Sequence, residues 1–289
     1  MPVEAFFLPM PNGQRGQRFC LLHRPVGTSI HGAVVFVHPF AEEMNKSRRM
    51  AALQSRALAD AGFAVLQIDL LGCGDSSGDF GDAAWQDWVA DVVEASLWLR
   101  QQYSAPLWLW GLRAGCLLAV EAARRIDQPC HFLFWQAPGA GKQLLQHFLR
   151  LKMIGDMLDG KSKGVMDGLR QQLASGLDIE IAGYCIASAL AAGLEAATLT
   201  PPRHPSRVEW IELAAREDAT LSPASERSVT TWRDAGFKVN PKIAVGPAFW
   251  QTTEIEDAPA LLEATTAMVL GTYRPHPSLE HLITTAESA

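Results

Sequence analysis

A chain of 289 residues, 48% hydrophobic and 19% charged, has ordinary globular composition and enough length to bury roughly three-quarters of its unfolded surface. Its formal charge of -6 and pI near 5.8 argue against generic affinity for nucleic acid or anionic membrane, which needs a concentrated basic face. The N-terminus, Met1 to Pro9, has neither a basic n-region nor a long apolar stretch, and Cys20, Cys73, Cys116, Cys130 and Cys185 form no C-x-x-C pair, so reduced thiols and a cytoplasmic location are expected.

Apolar strands alternate with amphipathic helices through the first half, the pattern of a mainly parallel central sheet with helices on both faces, an α/β architecture. Ala33 to Val37 is a fully apolar strand, followed by helical spacing from about Asn45 to Ala61. Phe63 to Asp69 is the next strand, and Trp85, Trp88, Val89, Val92, Ala95 and Leu99 stripe a helix from about Ala83 to Gln101. Pro106 to Trp110 and His131 to Trp135 are strands.

From about Ala140 to Thr200 the strand signal gives way to helix-like segments, Leu144 to Leu158 among them. The uncharged run from Ile181 to Leu194 is too short to span a bilayer, which needs roughly 20 residues, and is predicted to be a buried helix. A helical lid over 140–200 is therefore expected, inserted into a core made of 1–139 and 201–289. Such a lid usually roofs the site at the C-terminal edge of the strands. A strand at Val208 to Leu213, a helix near Glu226 to Ala235, a strand near Lys242 to Val245 and a helix near Pro259 to Leu270 complete the core.

Gly111-Leu112-Arg113-Ala114-Gly115 stands between an apolar strand and an apolar helix. That is the context of a nucleophile elbow, G-x-S-x-G, with arginine in the place of serine. A guanidinium stays protonated at any working pH and has no lone pair for attack, so Arg113 cannot form an acyl-enzyme. With the helix start at Ala114 and the backbone near Phe40, Arg113 instead suits a small anionic or acyl-bearing ligand. The competing reading is a structural ion pair with Glu42 or Glu43.

Asp69-Leu70-Leu71-Gly72-Cys73-Gly74-Asp75-Ser76 follows its strand as a D-x-x-G-x-G-x-S loop. With the elbow and the strand order, it resembles the α/β-hydrolase superfamily over nearly the whole chain. Within it, the run His38 to Arg49, the GLRAG elbow and Pro247 to Ile255 resemble the exosortase A system-associated hydrolase 2 family. That resemblance implies ester or acyl hydrolysis, and it implies exopolysaccharide and PEP-CTERM sorting machinery as partners.

The triad itself is incomplete. No histidine falls in Gly246 to Gln251, where the base is expected; Trp250 stands there, and His276 and His281 lie beyond the last helix. Asp218, or its neighbour Glu217, is the acid candidate, with a surface carboxylate as the alternative. Cys116, one turn beyond Arg113, and Cys73, expected to be the better exposed, are substitute nucleophiles that compete with a role as buried filler. His38 can serve them as base or simply orient its loop. Ser76 is expected to brace its loop, and Lys46, Arg48 and Arg49 to be the solvated start of a helix.

No spacing matches a zinc, calcium or nucleotide motif, so no cofactor and no metal is expected. Three functions follow: a ligand-binding pseudoenzyme, an active hydrolase using Cys73 or Cys116 with His38, and an interaction protein that uses the lid.

Overall fold

The computed structural model describes residues 3–11, 15–158 and 164–271. His276 and His281 lie outside them. In chain order the first elements are strands β1 (Val3–Pro9), β2 (Gln17–His23) and β3 (Gly32–Val37), helix α1 (Glu42–Asp60), β4 (Phe63–Ile68), α2 (Trp85–Gln102), β5 (Leu107–Leu112), α3 (Ala114–Ile126) and β6 (His131–Trp135). Then come α4 (Gly141–Leu158), α5 (Val165–Ala174), β7 (Ile179–Ile181), β8 (Tyr184–Ile186) and α6 (Ser188–Ala196). The chain returns through β9 (Arg207–Ala214), α7 (Pro223–Asp234), β10 (Lys238–Val245) and α8 (Pro259–Val269).

Eight strands form one sheet in the order β1-β2-β4-β3-β5-β6-β9-β10. From β4 onward in that order every pairing is parallel, while β1 and β2 join as an antiparallel edge. Both faces are covered, so β3 and β5 at the centre are buried at every position rather than alternating. Ala33, Val35 and Val37 of β3 belong to the core on the face covered by α2 and α3, whereas Val34 and Phe36 belong to the core on the opposite face, which includes residues of α1 and α8. The tryptophans at 85, 88, 108, 110 and 135 are buried on these faces, as their positions on apolar patterns predict.

Between β6 and β9 the chain leaves the sheet for α4, α5 and α6. The buried helix expected from Ile181 to Leu194 is not there. Ala182 and Gly183, with φ of 49° and 83°, turn the chain into the β7-β8 hairpin, and only Ser188–Ala196 is helical. A backbone that must reverse over two positive-φ residues cannot continue as a helix.

Candidate active-site cleft

Three neighbouring strand ends carry backbone in the left-handed half of conformational space. Ala41 after β3 has φ 50° and ψ -125°, Arg113 after β5 has φ 54° and ψ -116°, and Gln136 after β6 has φ 50°. Non-glycine residues rarely adopt such angles, and their clustering at one sheet edge marks a constrained site. The bend at Arg113 is held by its N–H donating to the Trp135 carbonyl at 3.0 Å and its carbonyl accepting from the Cys116 N–H at 3.0 Å.

The two glycines of the elbow are required by close approach. A Cβ on Gly115 would stand 2.1 Å from the Val37 carbonyl oxygen, and one on Gly111 2.4 Å from the Cys116 nitrogen. The turn therefore has a nucleophile elbow's packing and angles, with a guanidinium at its apex.

That guanidinium is paired. Arg113 Nη2 donates to Glu43 Oε1 at 3.0 Å and Nε to the same oxygen at 3.2 Å. Glu43 lies in the first turn of α1, and its side chain is 8% exposed against 16% for Arg113. Burial pushes the Glu43 carboxyl above the usual carboxylate range, with Arg113 pulling the other way. Glu42 is raised by burial too, opposed by Lys46, His147 and Arg113. Of the two glutamates, Glu43 makes the ion pair.

Trp250, buried in the turn after β10, lies with its ring centroid 5.7 Å from the Arg113 guanidinium carbon. An indole thus occupies the side of the elbow where the histidine base was expected. Asp218 is not brought in: its side chain is 76% exposed and pairs with Arg216 at 3.3 Å, the surface-carboxylate alternative.

The substitute nucleophiles are sealed. Cys116 is fully buried, its thiol donating to the Gly111 carbonyl at 3.2 Å, and burial pushes its pKa far up. Cys73, expected to be exposed, is buried instead, because its loop folds down onto α2, where the Trp88 indole donates to the Leu71 carbonyl at 2.9 Å. Its thiol is also raised strongly by burial. Neither offers a thiolate near neutral pH.

His38 is buried and occupied at both nitrogens. Nδ1 donates to the Pro39 carbonyl at 2.8 Å, and Nε2 accepts from the Leu70 N–H at 3.4 Å. Burial lowers its pKa. It orients two loops and has no lone pair left for a substrate. Ser76 braces as expected, its hydroxyl accepting from the Phe19 N–H at 2.9 Å and donating to the Asp69 carbonyl.

The basic run of α1 does more than its solvated reading predicts. Lys46 reaches the Gln251 carbonyl, Arg48 pairs with Asp69 at 3.2 Å, and Arg49 grips both oxygens of Asp257 at 2.7 and 2.8 Å. These contacts hold α1 to the loops after β4 and β10.

Beside Arg113 a cleft of about 360 Å³ opens between the strand ends, α4 and the start of α7. Gln143 and His147 of α4, Gln136, Glu212, Ser228 and Gln251 are among its lining residues, and none was singled out from the sequence. Gln143 and His147 carried a usable signal, since an i, i+4 polar pair on a helix expected to roof the site must share a face. The contribution expected at Phe40 is from the backbone beside it; the ring itself is buried edge-to-face with Phe148, Phe80 and Trp88. Ala114 opens α3 and is buried.

Residues 28–162 match the family model Hydrolase_4, described as serine aminopeptidase, S33. Human Protein ABHD12B is 27% identical over 142 residues, which are 48% of this chain and 38% of that protein, so the likeness spans well under half of the human relative. Among solved structures, the ferulic acid complex of Est1E from Butyrivibrio proteoclasticus aligns with a TM-score of 0.66 at 14% identity, covering 93% of this chain and 99% of that one. A thermostable carboxyl esterase from Bacillus coagulans aligns at 0.63 and 14%, covering 94% and 99%. A lidless α/β serine hydrolase from Xanthomonas campestris aligns at 0.55 and 15%, covering 96% and 98%. No helix among the described residues is long and apolar enough to cross a membrane. With its parallel sheet, its elbow and these structural likenesses, the chain is a protein of the α/β-hydrolase fold whose residues 28–162 match the serine aminopeptidase S33 model.

Proposed function

We propose that this protein binds a small ligand in the cleft beside Arg113 and forms no acyl-enzyme: a hydrolase scaffold used for recognition. One observation carries the reading. The side chain at the apex of the elbow is a guanidinium clamped to Glu43, so the position that should attack holds a permanent cation without a lone pair. The indole of Trp250 on its flank and the fully engaged imidazole of His38 support it further. The runs His38 to Arg49 and Pro247 to Ile255 support a role in an exosortase A-type setting, with exopolysaccharide or sorting-machinery proteins as partners. The five unpaired thiols support work in the cytoplasm.

The test is a fluorophosphonate probe applied to the unmodified protein and to Arg113→Ser. Both are expected to stay unlabelled, because a new serine at the apex meets no base. Labelling of the unmodified protein at any serine overturns the reading. So does labelling of Arg113→Ser that disappears in Arg113→Ser/His147→Ala, since the cleft would then hold a working base.

A further inference from the structure

Building on that reading, we propose that the cleft takes a neutral polyhydroxylated ligand, the class of sugars and polyols, rather than an anion or an acyl chain. Charge balance is the first reason. Arg113 is already neutralised by Glu43, and the buried Glu212 carboxylate, which accepts from the Trp210 indole at 2.8 Å, adds a negative charge to the lining. An incoming carboxylate or phosphate finds no uncompensated guanidinium and must face Glu212. The small anion expected from the sequence is therefore displaced as the preferred ligand.

Unused hydrogen-bonding capacity is the second reason. Gln136 spends its carbonyl oxygen on the Leu213 N–H at 2.9 Å, which leaves its amide N–H groups for the cleft. The side chains of Gln143, Gln251 and Ser228 have no hydrogen-bond partner among the described residues. An amide offers two donors and an acceptor side by side, and a hydroxyl offers both functions. Vicinal hydroxyls of a sugar ring or polyol, each donor and acceptor at once, answer that arrangement. A carboxylate only accepts and leaves the amide carbonyls unmet.

The third reason is where the apolar space has gone. Phe40, Phe148, Phe80 and Tyr184 pack edge-to-face beneath α4, with centroid separations of 5.3 Å for Phe40–Phe148 and 5.0 Å for Phe80–Tyr184. These rings take up room beneath α4 that an apolar chain would otherwise use. A volume of about 360 Å³ is near the small end of ligand pockets, which run roughly 300–1,000 Å³.

The experiment is ligand-observed NMR followed by calorimetry on the full chain. Its probes are glucose, galactose, mannose, N-acetylglucosamine and sorbitol, with glucuronate and octanoate as anionic and acyl counterparts. At least one neutral probe is expected to bind at least tenfold tighter than glucuronate and octanoate, and Gln143→Leu/Gln251→Leu is expected to weaken it tenfold or more. Both glutamines are exposed, so the double variant should melt like the parent, and the melt is measured alongside. Glucuronate or octanoate binding as tightly as the best neutral probe overturns the proposal. No neutral probe binding at 50 mM, or binding indifferent to the double variant, overturns it equally. Fluorophosphonate labelling of the same preparation decides the parent reading separately, because labelling and sugar binding are independent readouts.

Discussion

Arg113 and Glu43 meet across the ends of two paired strands, β5 and β3, through two guanidinium nitrogens at 3.0 and 3.2 Å from one carboxylate oxygen. The pair closes the gap between the elbow and α1. It also makes the cation of the cleft part of the fold's own electrostatics rather than a free receptor for anions.

Removing one partner should therefore cost more than removing both. Arg113→Ala strands a buried carboxylate and is expected to destabilise by about 1.5–3 kcal/mol, below the usual cost of a fully buried pair because Arg113 borders an open cleft. Arg113→Met/Glu43→Leu should recover at least half of that loss. Urea unfolding of the single and double variants measures it, and a double variant no more stable than Arg113→Ala would show that the pair is not a unit.

A second buried pair sets a pH dependence. Asp91 of α2 sits 2.8 Å from Arg18 of β2 and accepts from the Leu71 N–H at 2.7 Å, yet burial pushes its pKa from 3.8 up to about 6. A carboxyl that is harder to ionise in the fold than in the unfolded chain favours the fold at low pH. Its contribution is fully present below about pH 4 and is lost as the pH rises through about 6, roughly 3 kcal/mol in all. Melting temperatures taken between pH 4 and 7 should show this fall, and Asp91→Asn should flatten it. An unchanged slope in the variant assigns the effect to another group.

Thiol chemistry should be confined to one site. Cys185 of β8 is exposed, whereas Cys20, Cys73, Cys116 and Cys130 are buried. Iodoacetamide under native conditions is expected to modify Cys185 alone, with the others reacting only in denaturant. Native modification of Cys73 or Cys116, followed by loss of any esterase activity, would restore the cysteine-nucleophile alternative.

The elbow glycine next to β3 tolerates no side chain. Gly115→Ala places a methyl 2.1 Å from a backbone oxygen that cannot turn aside, so a loss of about 3 kcal/mol or failure to fold is expected. Ala at Gly164, where nothing lies within 4 Å of the added carbon, keeps the packing and strains only its own backbone, with φ 83°. Comparing the two melts isolates the close approach, and a Gly115→Ala protein that melts like the parent contradicts it.

Much of the fold was legible because fully apolar strands and striped helices announce themselves locally. His131 to Trp135 is a strand within its predicted bounds, and the GLRAG turn has the geometry its glycines imply. The β7-β8 hairpin was not legible, since Ile181 to Leu194 is uncharged and largely apolar, and such a run alone does not separate a strand pair from a helix. The burial of Cys73 was missed for another reason: a glycine-rich loop at a strand edge is usually open, and here Trp88 draws it inward. The cleft was the least readable part. Gln136, Gln143, Glu212, Ser228 and Gln251 come from five separate stretches of chain, and only tertiary packing gathers them.

The three left-handed strand ends at Ala41, Arg113 and Gln136 have one last consequence. A bend that costs free energy is kept here beneath a guanidinium, which has no lone pair for attack. The elbow's main chain keeps its geometry under a side chain other than serine, so a serine can be placed at 113 with no rebuilding of the backbone.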